Sequence, residues 1–178
     1  MSVCVECLIK SDFQNYEDLQ AVEIELKRVA KVLNELFKLE GDDKFVIDSL
    51  DIYEYSIRCD MFSPNESCEV YKIVLKRGYW HLETAWRYSA FFTPGLRLRQ
   101  EFVDIAKALG QHEAWYCDEF HLDNCGSPNW DYDTQSFDEW QSFAESKLGT
   151  KIPEYPVEEI KAFIGDWFSS KPIYHDSF

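Results

Sequence analysis

The chain has 178 residues and sets 33 acidic side chains against 18 basic ones, for a formal charge of −15. At this length roughly 70% of the unfolded surface can be buried in one domain, so folding needs neither a metal nor a disulfide. The charge disfavours nucleic acid and anionic membranes as partners, since both are polyanions, and favours a cationic partner.

The N-terminal MSVCVECLIK alternates at Val3, Val5, Cys7 and Ile9 and, with Leu8, reads as a strand apolar on both faces. Its apolar run is broken by Glu6 and is too short for a secretory signal. The six cysteines (Cys4, Cys7, Cys59, Cys68, Cys117, Cys125) are irregularly spaced, which predicts reduced thiols and a cytoplasmic protein. No apolar run approaches the roughly 20 residues of a membrane span.

Asn15 is the expected cap of a long helix, with Glu17 and Asp18 in its first turn and an apolar stripe at Leu19, Val22, Leu26, Val29, Ala30, Leu33, Leu36 and Phe37. Gly41 is its expected end. One strand is then predicted over about 45–61, a second over Tyr71–Lys76, and a third carrying Trp80, Leu82, Thr84, Trp86 and Tyr88 on one face. Phe102, Ile105, Ala106 and Leu109 predict a second helix, stopped by Gly110, and residues 113–122 a further strand.

Residues 123–135 read as loop. Ser136 with Glu139 forms a capping box before a helix with Phe137, Trp140, Phe143, Ala144 and Leu148 on its inner face. A last helix follows Pro156, and 171–178 is expected to be a loose tail. The order β-α-β-β-β-α-β-α-α predicts a single α+β domain over 1–170: an antiparallel sheet of about five strands with two helices (1–122), then a helical pair (136–170). Removing one meander strand leaves the ferredoxin-like order.

Leu82–Gly110, LETAWRYSAFFTPGLRLRQEFVDIAKALG, resembles a segment of small phage- and plasmid-borne proteins with ferredoxin-like domains, where a strand ending in T-A-W leads through prolines into a helix. Their tryptophan-glycine motif is missing here. The resemblance implies that fold and no activity.

No catalytic motif stands out. Cys4 and Cys7 form a CxxC, but on a strand residues three apart face opposite ways. Cys117 and His121 would share a strand face about 13 Å apart, too far for one ion. Asp123, Asn124, Asn129, Asp131 and Asp133 lack EF-hand spacing. We therefore expect no metal and no cofactor.

The most distinctive stretch is Glu113–Trp140, within a span from Lys107 to Lys147 that contains no other lysine or arginine. It interleaves acids with aromatics. Trp115, Tyr116, Asp118, Glu119, Asp123, Trp130, Asp131, Tyr132 and Asp133 are the candidate binding residues. Tyrosine and tryptophan are frequent hot-spot residues, and carboxylates speed encounter with a cationic partner. The expected function is a non-catalytic, immunity- or regulator-like protein that binds a basic protein partner. The alternative is a small-molecule binder or small hydrolase-type enzyme, with a pocket lined by Trp80, Trp86, Tyr88, Trp115 and Trp140 and Asp118, Glu119 and His121 as catalytic candidates.

Overall fold

A computed structural model describes residues 4–62, 69–87, 98–118, 136–152, 154 and 173–178. These form an α+β domain on a seven-stranded sheet of order β2-β3-β4-β5-β1-β6-β7, antiparallel throughout. The strands are β1 (Cys4–Lys10), β2 (Val46–Asp51), β3 (Glu54–Phe62), β4 (Glu69–Lys76), β5 (Tyr79–Arg87), β6 (Glu113–Asp118) and β7 (Ile173–Ser177). Three helices are described: α1 (Leu19–Phe37), α2 (Leu98–Ala108) and α3 (Phe137–Leu148). Among the described residues no helix is long and apolar enough to cross a membrane.

Seven strands in this order are not the ferredoxin-like arrangement of about five, and two local causes account for the difference. The segment expected as one strand over 45–61 folds back at Ile52–Tyr53, where the Asp51 carboxylate accepts from the backbone N–H groups of Tyr53 (2.8 Å) and Glu54 (3.1 Å). This side-chain turn needs only the aspartate, so two exposed apolar residues can occupy its tip.

The second cause is the C-terminus. Residues 173–177, expected in a loose tail, pair with β6 as an edge strand. Asp176 anchors it: this carboxylate is 1% exposed and accepts from Arg99 (2.5 Å) and from the Tyr116 hydroxyl (3.0 Å).

α1 presents Val22, Leu26, Val29, Ala30 and Leu33 of the predicted stripe to the core, with Phe37 partly buried, while Leu19 and Leu36 at its two ends are exposed. Its cap is Asp18, which accepts from Gln20 and Ala21, rather than Asn15, and it ends at Lys38 in the left-handed region (φ 55°), before Gly41. The predicted capping box at Ser136 and Glu139 is present, and Gly149 closes α3.

The sheet has an apolar layer on each side. α1 and α2 pack with Cys7, Ile9, Ile73, Trp80, Leu82, Ala114 and Tyr116 on one face. α3 brings Phe137, Trp140 and Ala144 onto the other, against Leu8, Tyr79, Trp115 and Ile173. Alternation along β1 and β6 feeds both layers from single strands. The loop at 123–135 and the last helix expected after Pro156 lie outside the described residues.

Leu82 is fully buried in the larger layer, whereas Ile24 is 63% exposed. Leu82→Ala is therefore expected to lower the unfolding free energy in urea by about 2–5 kcal/mol. Ile24→Ala should change it by less than about 0.5 kcal/mol. Equal effects at the two positions would contradict this layer assignment.

Candidate partner-binding groove and a charged ladder

The acidic stretch divides once it is placed on the fold. Trp115 and Tyr116 are adjacent on β6 and buried on opposite faces of the sheet; Phe137 and Trp140 are buried under α3. Trp115 also stacks on His175, with ring centroids 4.5 Å apart. These four aromatics build the interior rather than an open surface. Asp118 is placed at the end of β6 by its backbone, paired with Val5. The Asp118 side chain and all of Glu119, His121, Asp123, Trp130, Asp131, Tyr132 and Asp133 lie outside the described residues.

The pocket expected between sheet and C-terminal helices is not assembled from its tryptophans. Trp80 packs in the layer under α1 and α2, while Trp115 and Trp140 pack on the far side of the sheet. The side chain of Trp86 and all of Tyr88 lie outside the described residues.

Where β1 leaves the sheet, a groove of about 840 Å³ opens between three segments: the β1–α1 connection (Lys10–Asp18), the β4–β5 turn (Arg77–Gly78) and the start of α3 (Ser136–Asp138). The turn ties the segments together. Gly78 accepts from Ser11 N–H (2.9 Å), Gly78 N–H donates to the Tyr16 hydroxyl (2.6 Å), and Arg77 accepts from Phe137 N–H (3.0 Å). Gly78 holds φ at 83°, which an L side chain rarely adopts.

Four exposed carboxylates line this groove: Asp12, Glu17, Asp18 and Asp138. Two cations accompany them, Lys10 and Arg77. The Lys10 ammonium is turned inward over the rings of Trp115 (5.1 Å) and Phe137 (5.0 Å). Asp18 and Asp138 sit at helix N-termini, whose positive dipole ends offset part of their charge. Asp12 and Glu17 are outside the helices and supply the freer negative field.

A second charged group, marked by no motif in the sequence, crosses β3, β4, β5 and β1 on the α3 side of the sheet. Register sets Glu83 opposite both Lys72 and Glu6. His81 Nε2 bonds Glu6, and His81 Nδ1 is 3.7 Å from Glu83. Lys72 reaches Glu54 at 2.7 Å and Glu83 at 4.0 Å, and the Ser56 hydroxyl donates to Glu54 (2.7 Å). Glu6, Ser56, Lys76 and His81 are all buried. Each residue alone is an ordinary polar position on an alternating strand. Only the register between strands brings them together, so no local sequence signal could have found them.

Burial alone pulls the His81 imidazolium down, but the charge and hydrogen bond of Glu6, with the charge of Glu83, outweigh it and hold its pKa above 6.5. Burial, reinforced by Glu6, raises the Glu83 carboxyl. Burial likewise pushes the Cys7 thiol well above its ordinary value, with Asp176 and Glu6 adding to the effect, so Cys7 is a neutral core residue. The side chain of Cys4, its CxxC partner, lies outside the described residues.

Comparison of the chain with protein-family models, with curated proteins and with solved structures finds no match.

Because the folded His81 pKa is raised, its stabilising contribution is complete below the ordinary value of 6.5 and is lost as pH rises through the folded value. The Glu83 shift has the same sign. Stability measured by urea titration should thus decline as pH rises from about 6 to about 8, and His81→Gln should flatten that decline. A variant with the same slope as the parent protein would show that His81 does not carry it.

Proposed function

We propose that this chain is a non-catalytic interaction protein, immunity- or regulator-like, that receives a basic segment of a partner protein in the groove between the β1–α1 connection, the β4–β5 turn and α3. The groove carries this reading. It is held open by backbone hydrogen bonds to Arg77 and Gly78, and its exposed rim sets four carboxylates against two cations, one of them turned inward. A lysine or arginine side chain entering it would meet Asp12 and Glu17 from one wall and Asp138 from the other.

Asp131 and Asp133, which come shortly before α3 in the chain, are proposed to extend the same surface, whereas Asp118, paired with Val5, belongs to the other end of β1. Trp115 would support that surface from within, beneath the Lys10 ammonium. The overall charge of −15 adds long-range attraction for a cationic partner, which mainly speeds association.

An acetylated octalysine peptide is the simplest probe. Its affinity should fall by about tenfold or more as salt rises from about 0.05 to 0.5 M, because the Debye length shortens several-fold. At fixed low salt, Asp12→Asn with Glu17→Gln should weaken binding by about tenfold beyond the effect of neutralising two exposed acids elsewhere, such as Glu40 and Asp42. Salt-insensitive binding, or equal losses from the two double variants, would contradict the reading.

A further inference from the structure

A second groove, of about 730 Å³, lies at the other end of α1, between that helix and β2, and its charge is of the opposite sign. Lys27, Lys31, Lys38 and Lys44 line it, against Glu35 and Glu40. In a chain where acids outnumber bases 33 to 18, four lysines to two glutamates is a local inversion. Lys27 and Lys31 have helix partners in Glu23 and Glu35. Lys38 and Lys44 have no acidic partner among the described residues.

The same groove borders an open sheet edge. β2 is the terminal strand, and among the described residues nothing pairs with its outer side. The opposite terminal strand, β7, is met by a parallel bridge from Glu154 to His175. The edge strand VIDSLD contains neither proline nor lysine; it carries Asp48 and Asp51 and a register shift between Ile47 and Ser49, so the stretch open to a partner is the one before that shift, next to the lysines. Immediately before β2, the Asn34 amide takes the place of a neighbouring strand: it donates to Phe45 C=O (3.1 Å) and accepts from Phe45 N–H (2.7 Å). By strand alternation, the N–H and C=O of Ile47 face the same way as those of Phe45 and stand next in line for a partner. Val46, half exposed, flanks them.

We infer that the outer edge of β2 and the lysine-lined groove beside it dock an extended, acidic segment of another protein, which joins the sheet as a further strand. Backbone hydrogen bonds along β2 supply sequence-tolerant affinity, as in other strand-addition complexes. Alternate side chains of the incoming segment fall toward α1, where carboxylates meet Lys38 and Lys44. The remaining side chains extend the sheet beside Val46. Repulsion from the rest of the acidic chain is screened beyond about 8 Å at physiological salt, so the local lysines set the preference. This site is separate from the acidic groove, and neither depends on the other.

The probe is a fluorescein-labelled, acetylated octapeptide of alternating valine and glutamate, titrated against the full chain at about 0.15 M salt. Binding is expected, with slowed amide exchange at Ile47, whose N–H faces the open edge. Lys38→Glu with Lys44→Glu should weaken it at least about tenfold, as should N-methylation of alternate peptide amides. Both lysines are exposed, so the double variant should stay folded, with an unfolding midpoint lowered only slightly because Lys38 closes α1 and a carboxylate there opposes the helix dipole. Four results would overturn the inference: no binding at about 1 mM peptide; equal affinity for a valine–lysine peptide; indifference to charge reversal; or exchange protection elsewhere. Dimerisation of the free protein through this edge, seen as a doubled mass with a protected Ile47 amide, would also overturn it by assigning the edge to a second copy.

Discussion

The position of β1 inside the sheet, between β5 and β6, constrains most of the surrounding structure. This strand pairs with β5 on one side and β6 on the other, joining the β2–β5 meander to the C-terminal pair. A central strand covered on both faces is mostly apolar in both registers, and β1 meets this with Cys7 and Ile9 on one side and Leu8 on the other, where Glu6 is buried with His81 as its partner. α1 and α2 must then lie on one side and α3 on the other. Where β1 ends, Ser11 is tied to Gly78, and the chain turns toward α1. The acidic groove is the space left between that exit and the start of α3.

Much of the fold was legible in residue order. The central part of the α1 stripe, the double-sided first strand and the capping box at Ser136 each rest on local periodicity or a local side-chain bond, and each is present. What was not legible depends on distant partners. Ile52 and Tyr53 look like strand residues because they are apolar; Asp51 makes them a turn. Asp176 looks like a tail residue until Arg99 and Tyr116 close around it. The Glu6–His81–Glu83 ladder exists only through register.

The acidic, aromatic stretch illustrates how composition and placement part company. On β6, alternation sends Trp115 and Tyr116 into opposite layers, so neighbouring aromatics serve two separate interiors. Around the groove, the exposed acids come from positions with their own local reasons: the Asp18 cap, the first turn of α3 and the β1–α1 connection. A working surface in this chain is better sought where connections meet than where aromatics are dense. α1, about 28 Å long from its 19 residues, separates two grooves of opposite charge. A strongly acidic protein can in this way offer distinct faces to basic and acidic segments.

The most direct measurement is a backbone amide chemical-shift map of the full chain during titration with acetylated octalysine at low salt. Binding in the acidic groove predicts the largest changes at Ser11, Asn15, Glu17, Gly78 and Asp138, with small ones at Lys38, Lys44 and Val46. Changes scattered over the acidic surface in proportion to local charge, or centred away from the Arg77–Gly78 turn, would contradict it.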